Sequence, residues 1–163
     1  MSTPGVLPDR VAALFDAALV AELTVVDGRG RPVSYPLIPL YDGHRIHMTS
    51  SALFSRKLRH IKANPKVSVA LTDPVGVPAQ PFARTTVQGD AVVHDGDLHT
   101  DWERLLPLWR AKEPVIDKFV KMRFGIPLFF ERSVIEIAPT RVFYWADART
   151  DRAPEVLEMV GTA

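Results

Sequence analysis

The stretch from Glu22 to Asp73, ELTVVDGRGRPVSYPLIPLYDGHRIHMTSSALFSRKLRHIKANPKVSVALTD, switches from strand period to helix period and back, and those switches decide the fold. Ala21 to Val26 reads as a strand. Asp27-Gly28-Arg29-Gly30 follows, and Asp-Gly between apolar runs is a strong hairpin signal. Pro32 to Tyr41 is the next strand, and Asp42-Gly43 is a second turn. Arg45 to Thr49 alternates, with Ile46 and Met48 facing one way. Then Phe54, Leu58 and Ile61 fall at i, i+4 and i+7, one stripe of a helix. Ser50 or Ser51 is the expected N-cap, and Asn64-Pro65 stops the helix. Val67, Val69 and Leu71 return to strand alternation.

The flanks follow the same grammar. Pro8 and Asp9 open a helix whose apolar face is Val11, Leu14, Phe15 and Leu19. A proline-rich loop runs from Pro74 to Pro81. Arg84 to Val93 is a long strand, and Gly89 inside it marks a bulge or a close-packing point. Thr100 and Glu103 form a capping box, Pro107 disturbs the helix it starts, and a further helix covers Val115 to Phe124. Ser133 to Ile137 and Arg141 to Trp145 are expected as two strands separated by Pro139. Short antiparallel strands with a few helices indicate a mainly β, α+β barrel or sandwich in one domain over 1–163.

Composition narrows the function. Nineteen acids nearly balance twenty Lys and Arg, so no global field draws the chain to nucleic acid or membrane. Yet no acid occurs between Asp42 and Asp73, while Arg45, Arg56, Lys57, Arg59, Lys62 and Lys66 all lie there. The chain has no cysteine, which excludes disulfides, thiolate nucleophiles and Cys-based zinc sites. No run reaches the roughly 18 apolar residues of a membrane span. The N-terminus lacks a basic leader, so the cytoplasm is the expected location. The five histidines are scattered, with His44 and His47 tending to opposite strand faces, and no metal site is expected. No nucleophile-elbow or glycine-rich phosphate loop is present.

One window carries chemistry. Thr49, Ser50, Ser51 and Ser55 supply hydroxyls, a helix begins, and Arg56-Lys57 supplies cations. Phosphate binding uses such parts: free backbone N–H groups, a favourable dipole, hydroxyl donors and positive charge. The bland alternative is a solvated basic helix face with an ordinary serine cap. The strand RPVSYPLIPLY lacks three N–H donors at Pro32, Pro36 and Pro39, so it should be an edge or bulged strand. Such backbone can meet a flat heterocycle edge-on or simply turn a barrel corner.

Taken together, D-G-R-G-R-P, Y-D-G-x-R-I, the hydroxyl cluster, S-R-K-L-R-x-I-x-x-N-P-x-V-x-V, VQGDAVV and VIEIAPTRVFYW resemble the pyridoxamine 5′-phosphate oxidase-like superfamily, the flavin-binding split β-barrels. The resemblance covers about Ala12 to Asp95 and Val134 to Trp145. It implies a six-stranded antiparallel split β-barrel of Greek-key type. It also implies a homodimer with two sites at the subunit interface, and FMN as cofactor, with the deazaflavin coenzyme F420 as the alternative. The phosphate would lie on Thr49, Ser50, Ser55, Arg56 and Lys57. The ring edge would lie along Ser34, Tyr35, Pro36, Leu37 and Ile38, with Gln88 approaching. The implied activity is hydride transfer to or from a small organic substrate, with no catalytic side chain assigned. The alternatives are a non-enzymatic flavin carrier or sensor and a basic nucleic-acid module. RAPEVLEMVGTA lacks the Arg- and Trp-containing substrate motif of the vitamin B6 oxidase, so that activity is not expected. Leu98 to Leu128 exceeds a minimal barrel and reads as a helical insert walling the substrate pocket, with Trp102, Trp109 and Phe119 as lid candidates.

Overall fold

A computed structural model describes residues 5–52, 55–71, 83–120 and 131–159. Eight strands in these residues form one antiparallel sheet. They are β1 (Ala21–Val26), β2 (Pro32–Leu37), β3 (Leu40–Tyr41), β4 (Ile46–Ser51), β5 (Lys66–Leu71), β6 (Arg84–His94), β7 (Arg132–Trp145) and β8 (Glu155–Glu158). The order is β2-β1-β5-β6-β7-β4-β3, with β8 pairing the far half of β7. β5, β6 and β7 form a meander, and β4 lies beside β7, which is a Greek key.

The order also explains why the sheet curls. β2 and β3 are its two edges, yet only Ile38 and Pro39 separate them in the chain. Three residue steps span at most about 11 Å, so the two edges must meet. The result is a split β-barrel whose seam is the proline-rich segment. The seven strands read from the sequence, against the six implied by the resemblance, become eight because one divides, two merge and one is added. Pro39 ends pairing with β1, so the expected strand Pro32 to Tyr41 divides between the two edges. β8 is added by residues that carried no strand signal.

The strands expected at Ser133–Ile137 and Arg141–Trp145 are one strand, β7. Pro139 lies where the β6–β7 register shifts: Gln88 pairs with Arg141 and Gly89 with Pro139, skipping Thr140. The missing proline N–H is therefore absorbed by a bulge. Thr140 is satisfied there, with its hydroxyl donating to the Gln88 carbonyl at 3.2 Å and its carbonyl accepting from Met159 N–H at 2.8 Å. Gly89 is required by close approach. A Cβ there would stand 2.5 Å from the Ala138 carbonyl oxygen and 2.7 Å from Ile137 Cγ2.

The barrel core is built from alternate residues of the strands, such as Leu23, Val25, Ile46, Met48, Val69, Val87, Ile135 and Ile137. Helix α1 (Asp9–Ala17) adds Val11, Leu14 and Phe15, and helix α2 (Arg56–Ala63) adds Leu58 and Ile61. Leu19, expected on the α1 face, lies beyond the helix and is exposed. Phe54, expected to lead the α2 stripe, and the Pro74–Pro81 loop lie outside the described residues.

The insert forms α3 (Thr100–Glu103), α4 (Leu106–Lys112) and α5 (Ile116–Val120); residues 121–130 and the side chain of Phe119 lie outside the description. The capping box does not form. His99 precedes α3, and Asp97 accepts the N–H groups of His99 and Thr100 at 3.0 and 2.9 Å. The chain restarts as α4 at Leu106, where Pro107 costs no helical hydrogen bond. Trp102 and Trp109 meet edge to face, 6.3 Å apart, and form a second core with Leu40, Leu105, Ile116 and Val134. The insert is thus glued to the outer face of β3, β4 and β7. Lys112 ties it further, donating to the carbonyls of Phe15, at 2.5 Å, and Pro39.

Candidate functional site

On β4, Ile46, Met48 and Ser50 share the face turned into the barrel, and on β7 Ser133, Ile135 and Ile137 do the same. Apolar residues fill that layer until Ser50 and Ser133, which end it in hydroxyls. β4 runs to Ser51 because β7 pairs with it that far. Ser50 and Ser51 are therefore strand residues and do not cap α2. Ser55 occupies the N-cap position, and it makes no side-chain capping bond. Its Oγ lies 3.2 Å from Ser50 Oγ instead.

Lys57 reaches back over this point. Its Nζ donates to Ser50 Oγ at 2.9 Å and stands 5.2 Å from the centre of the Tyr35 ring. Burial lowers the Lys57 pKa below its ordinary value, and the charge of Arg132 lowers it further. Among the described residues no carboxylate pairs with it. The first turn of α2 holds no acid, and Arg56 and Lys57 place positive charge at the positive end of the helix dipole. A helix start without a side-chain cap, clustered hydroxyls and cations that no carboxylate pairs among the described residues together suit an anion.

Thr49 faces the other side of β4. Its Oγ1 accepts from Arg132 Nε at 2.9 Å, and the Arg132 guanidinium lies 5.5 Å from the Trp109 ring centre. Burial lowers the pKa of Arg132. Ser133, opposite Ser50 in the register, is fully buried, and its Oγ has no hydrogen-bond partner among the described residues. Neither residue belongs to a motif, and neither was singled out from the sequence. The β4–β7 register brings Ser133 beside Ser50 and places Arg132 with Thr49 on the opposite face.

The remaining expected residues divide by strand parity. Tyr35 and Leu37 pack toward the core, and Ile38 packs on the second core. Ser34 and Pro36 are exposed on the opposite face, where Ser34 Oγ lies 2.8 Å from Thr24 Oγ1. Gln88 is on that same outer face, in a groove of about 310 Å³ with Thr24, Lys66, Ser68 and Thr140. The structure thus joins Tyr35, Ser50, Ser55 and Lys57 in one cluster, leaves Thr49 on the opposite face of β4 with Arg132, and sets Ser34 and Gln88 apart. Arg56 lines a cleft of about 570 Å³ with Ser55, Arg59, Lys62 and Asp95. Lys62 and Lys66 are held in surface ion pairs with Asp95 and Asp90. No described helix is long and apolar enough to cross a membrane.

The sequence matches the family model for pyridoxamine 5′-phosphate oxidase over residues 7–146. No curated protein matches it significantly. Solved structures of similar fold include an FMN-binding protein related to pyridoxamine 5′-phosphate oxidase from Nostoc punctiforme, at 18% identity and a TM-score of 0.57, covering 88% of this chain and 86% of that one. An F420 reductase is similar at 20% identity and a TM-score of 0.61, with 83% and 98% covered. The heme storage protein HutZ from Vibrio cholerae is similar at 17% and 0.59, with 85% and 94% covered. At these identities the likeness is one of fold.

Proposed function

The chain belongs to the pyridoxamine 5′-phosphate oxidase family, and on that premise we propose that it is a flavin-dependent oxidoreductase holding FMN by its phosphate at Ser50, Ser55 and Lys57. The observation that carries this reading is the Lys57 ammonium, drawn over Ser50 and Tyr35 beside a helix start without a side-chain cap, with no acid paired to it among the described residues. These residues fit a phosphate: the hydroxyls and helix amides donate, and the lysine supplies charge. Thr49 and Arg56 flank the same turn. Tyr35, Leu37 and Ile38 lie along the segment proposed for the ring edge, at the barrel seam; Ser34, Pro36 and Gln88 bound its outer face.

Bound FMN supplies the hydride chemistry. The chain's own residues bind, orient and exclude water, and no side chain is assigned a proton. The proposed working form is a cytoplasmic homodimer that acts on a small organic substrate. The second reading, favoured by the shared fold of the F420 reductase, is that the same turn holds the phosphate of deazaflavin coenzyme F420. A cofactor carrier without turnover uses the same site.

Titration of FMN and F420 into the purified protein tests the proposal, with turnover under a reductant separating enzyme from carrier. FMN should bind, and Lys57→Ala should weaken it about tenfold, the scale of one hydrogen bond to a charged group. The fold should survive, since Lys57 lies outside the apolar core. Equal affinity in both proteins would remove Lys57 from the site. Heme absorption with no flavin or deazaflavin binding would overturn the function.

A further inference from the structure

We propose that Lys112 is a nucleophilic amine, and that the cleft it lines between α1, β3 and α4 admits a small apolar aldehyde, which it takes up as an imine. The cleft holds about 240 Å³ and is lined by Asp16, Leu40, Tyr41, Leu108, Ala111 and Lys112. None of these belongs to the cluster of Tyr35, Ser50, Ser55 and Lys57, so the site stands apart from the proposed flavin phosphate. Lys112 Nζ donates to the Phe15 carbonyl at 2.5 Å and to the Pro39 carbonyl. A neutral amine has two N–H bonds and one lone pair. With both N–H bonds taken by carbonyls, the lone pair is what remains, on a side chain that lines the cleft. A carbonyl oxygen only accepts, so neither neighbour can use that lone pair.

The surroundings favour the uncharged form. Burial pushes the Lys112 pKa down to about 8, with the charge of Asp16 acting the other way. A lysine desolvated in this manner is a nucleophile near neutral pH. The other polar groups nearby are engaged. From β3, the Tyr41 hydroxyl accepts from Leu7 N–H at 2.9 Å and donates to the Gly43 carbonyl at 2.8 Å. On α4 and just after it, Arg110 pairs with Asp117, and Glu113 accepts from Trp109 Nε1 at 3.4 Å. Asp16 is the acid of the cleft. In the reaction, the Nζ lone pair bonds to the carbonyl carbon, and the carbonyl π pair moves to oxygen. That oxygen takes one proton from the nitrogen, and Asp16 is placed to carry it. The carbinolamine then loses its hydroxyl, with the second N–H proton, as water. Amine and aldehyde give imine and water, and nothing is oxidised or reduced. A protonated imine keeps one N–H, enough for one of the two carbonyls. Leu40, Leu108 and Ala111 offer an alkyl chain an apolar wall without donors, which favours an aliphatic aldehyde over a hydroxylated one.

The test is reductive trapping. The purified wild-type protein is treated with butanal and cyanoborohydride at about pH 7, and the alkylated lysines are followed in time by peptide mass spectrometry. Lys112 should be alkylated at least about tenfold faster than Lys62 and Lys66, since the neutral fraction of an amine rises about tenfold for each unit by which its pKa falls. Those two comparison lysines are more than half exposed, so access favours them and not Lys112. The Lys112 rate should climb with pH and level off above about 8. Ala111 is exposed on α4 and lines the cleft, so Ala111→Leu narrows the cleft without touching the core. It should slow butanal at Lys112 about tenfold, and leave Lys62 and Lys66 unchanged. The inference falls if Lys112 is alkylated no faster than Lys62 and Lys66, if its rate shows no levelling with pH, or if Ala111→Leu leaves that rate unaltered. Trapping needs no flavin, so these outcomes are independent of whether FMN binds.

Discussion

At the scale of single residues, Lys112 shows how a cation can serve structure. It reaches from α4 to the carbonyls of Phe15, near the end of α1, and Pro39, in the barrel seam. No basic residue lies in the last turn of α1 itself, so Lys112 supplies that charge from across the fold. Burial pushes its pKa from 10.5 down to about 8. In the unfolded chain the group keeps its proton up to about 10.5, so folding releases a proton between those two values. Stability contributed by this group therefore rises with pH across that window. The melting temperature of wild type relative to Lys112→Met should climb from about pH 8 to about pH 10. A falling difference would mean that the two carbonyls hold the ammonium charged.

At the scale of elements, β7 organises the molecule. It pairs with β4, β6 and β8, and its bulge opposite Gly89 lets it bend without losing its partners. Gly89→Ala should cost about 1–3 kcal/mol by forcing the β6 and β7 backbones apart, measured by urea denaturation. A change under about 0.5 kcal/mol would show that the strands separate freely there. Much of this was legible in the sequence. The Asp-Gly turns, the Gly89 irregularity and the Leu58 and Ile61 stripe all follow from local rules and hold in the structure. The misplaced features were those that tertiary pairing decides. Pro139 looked like a break because a lone strand cannot show that its partner will absorb a bulge. Ser50 and Ser51 looked like caps because nothing local says that β7 will extend β4 past them. The basic half of the candidate site was readable from Ser55, Arg56 and Lys57. Arg132 and Ser133 were not, since only the β4–β7 register brings them to Thr49 and Ser50.

At the scale of the whole molecule, the seam bears on assembly. Pro32 and Pro36 have the same parity on edge strand β2, suited to N–H positions that point away from β1. An incoming strand would find Ser34 as the one donor between them, so edge-to-edge pairing is disfavoured. The proposed homodimer should therefore join through sheet faces and loops. Light scattering should give twice the chain mass, and Ser34→Pro should leave it unchanged. A monomer would overturn the dimer, and loss of the dimer in Ser34→Pro would place the interface on the edge.

The central position of β7 has a further consequence during synthesis. Thr49 and Arg132 are 83 residues apart, so β4 emerges long before its main partner exists. Until then β4 has only the two residues of β3 beside it, and a ribbon so short is not stable alone. Ser50 waits for Ser133 over the same interval. The Ser50 side of the candidate site thus gains its β7 neighbour only after β7 has left the ribosome.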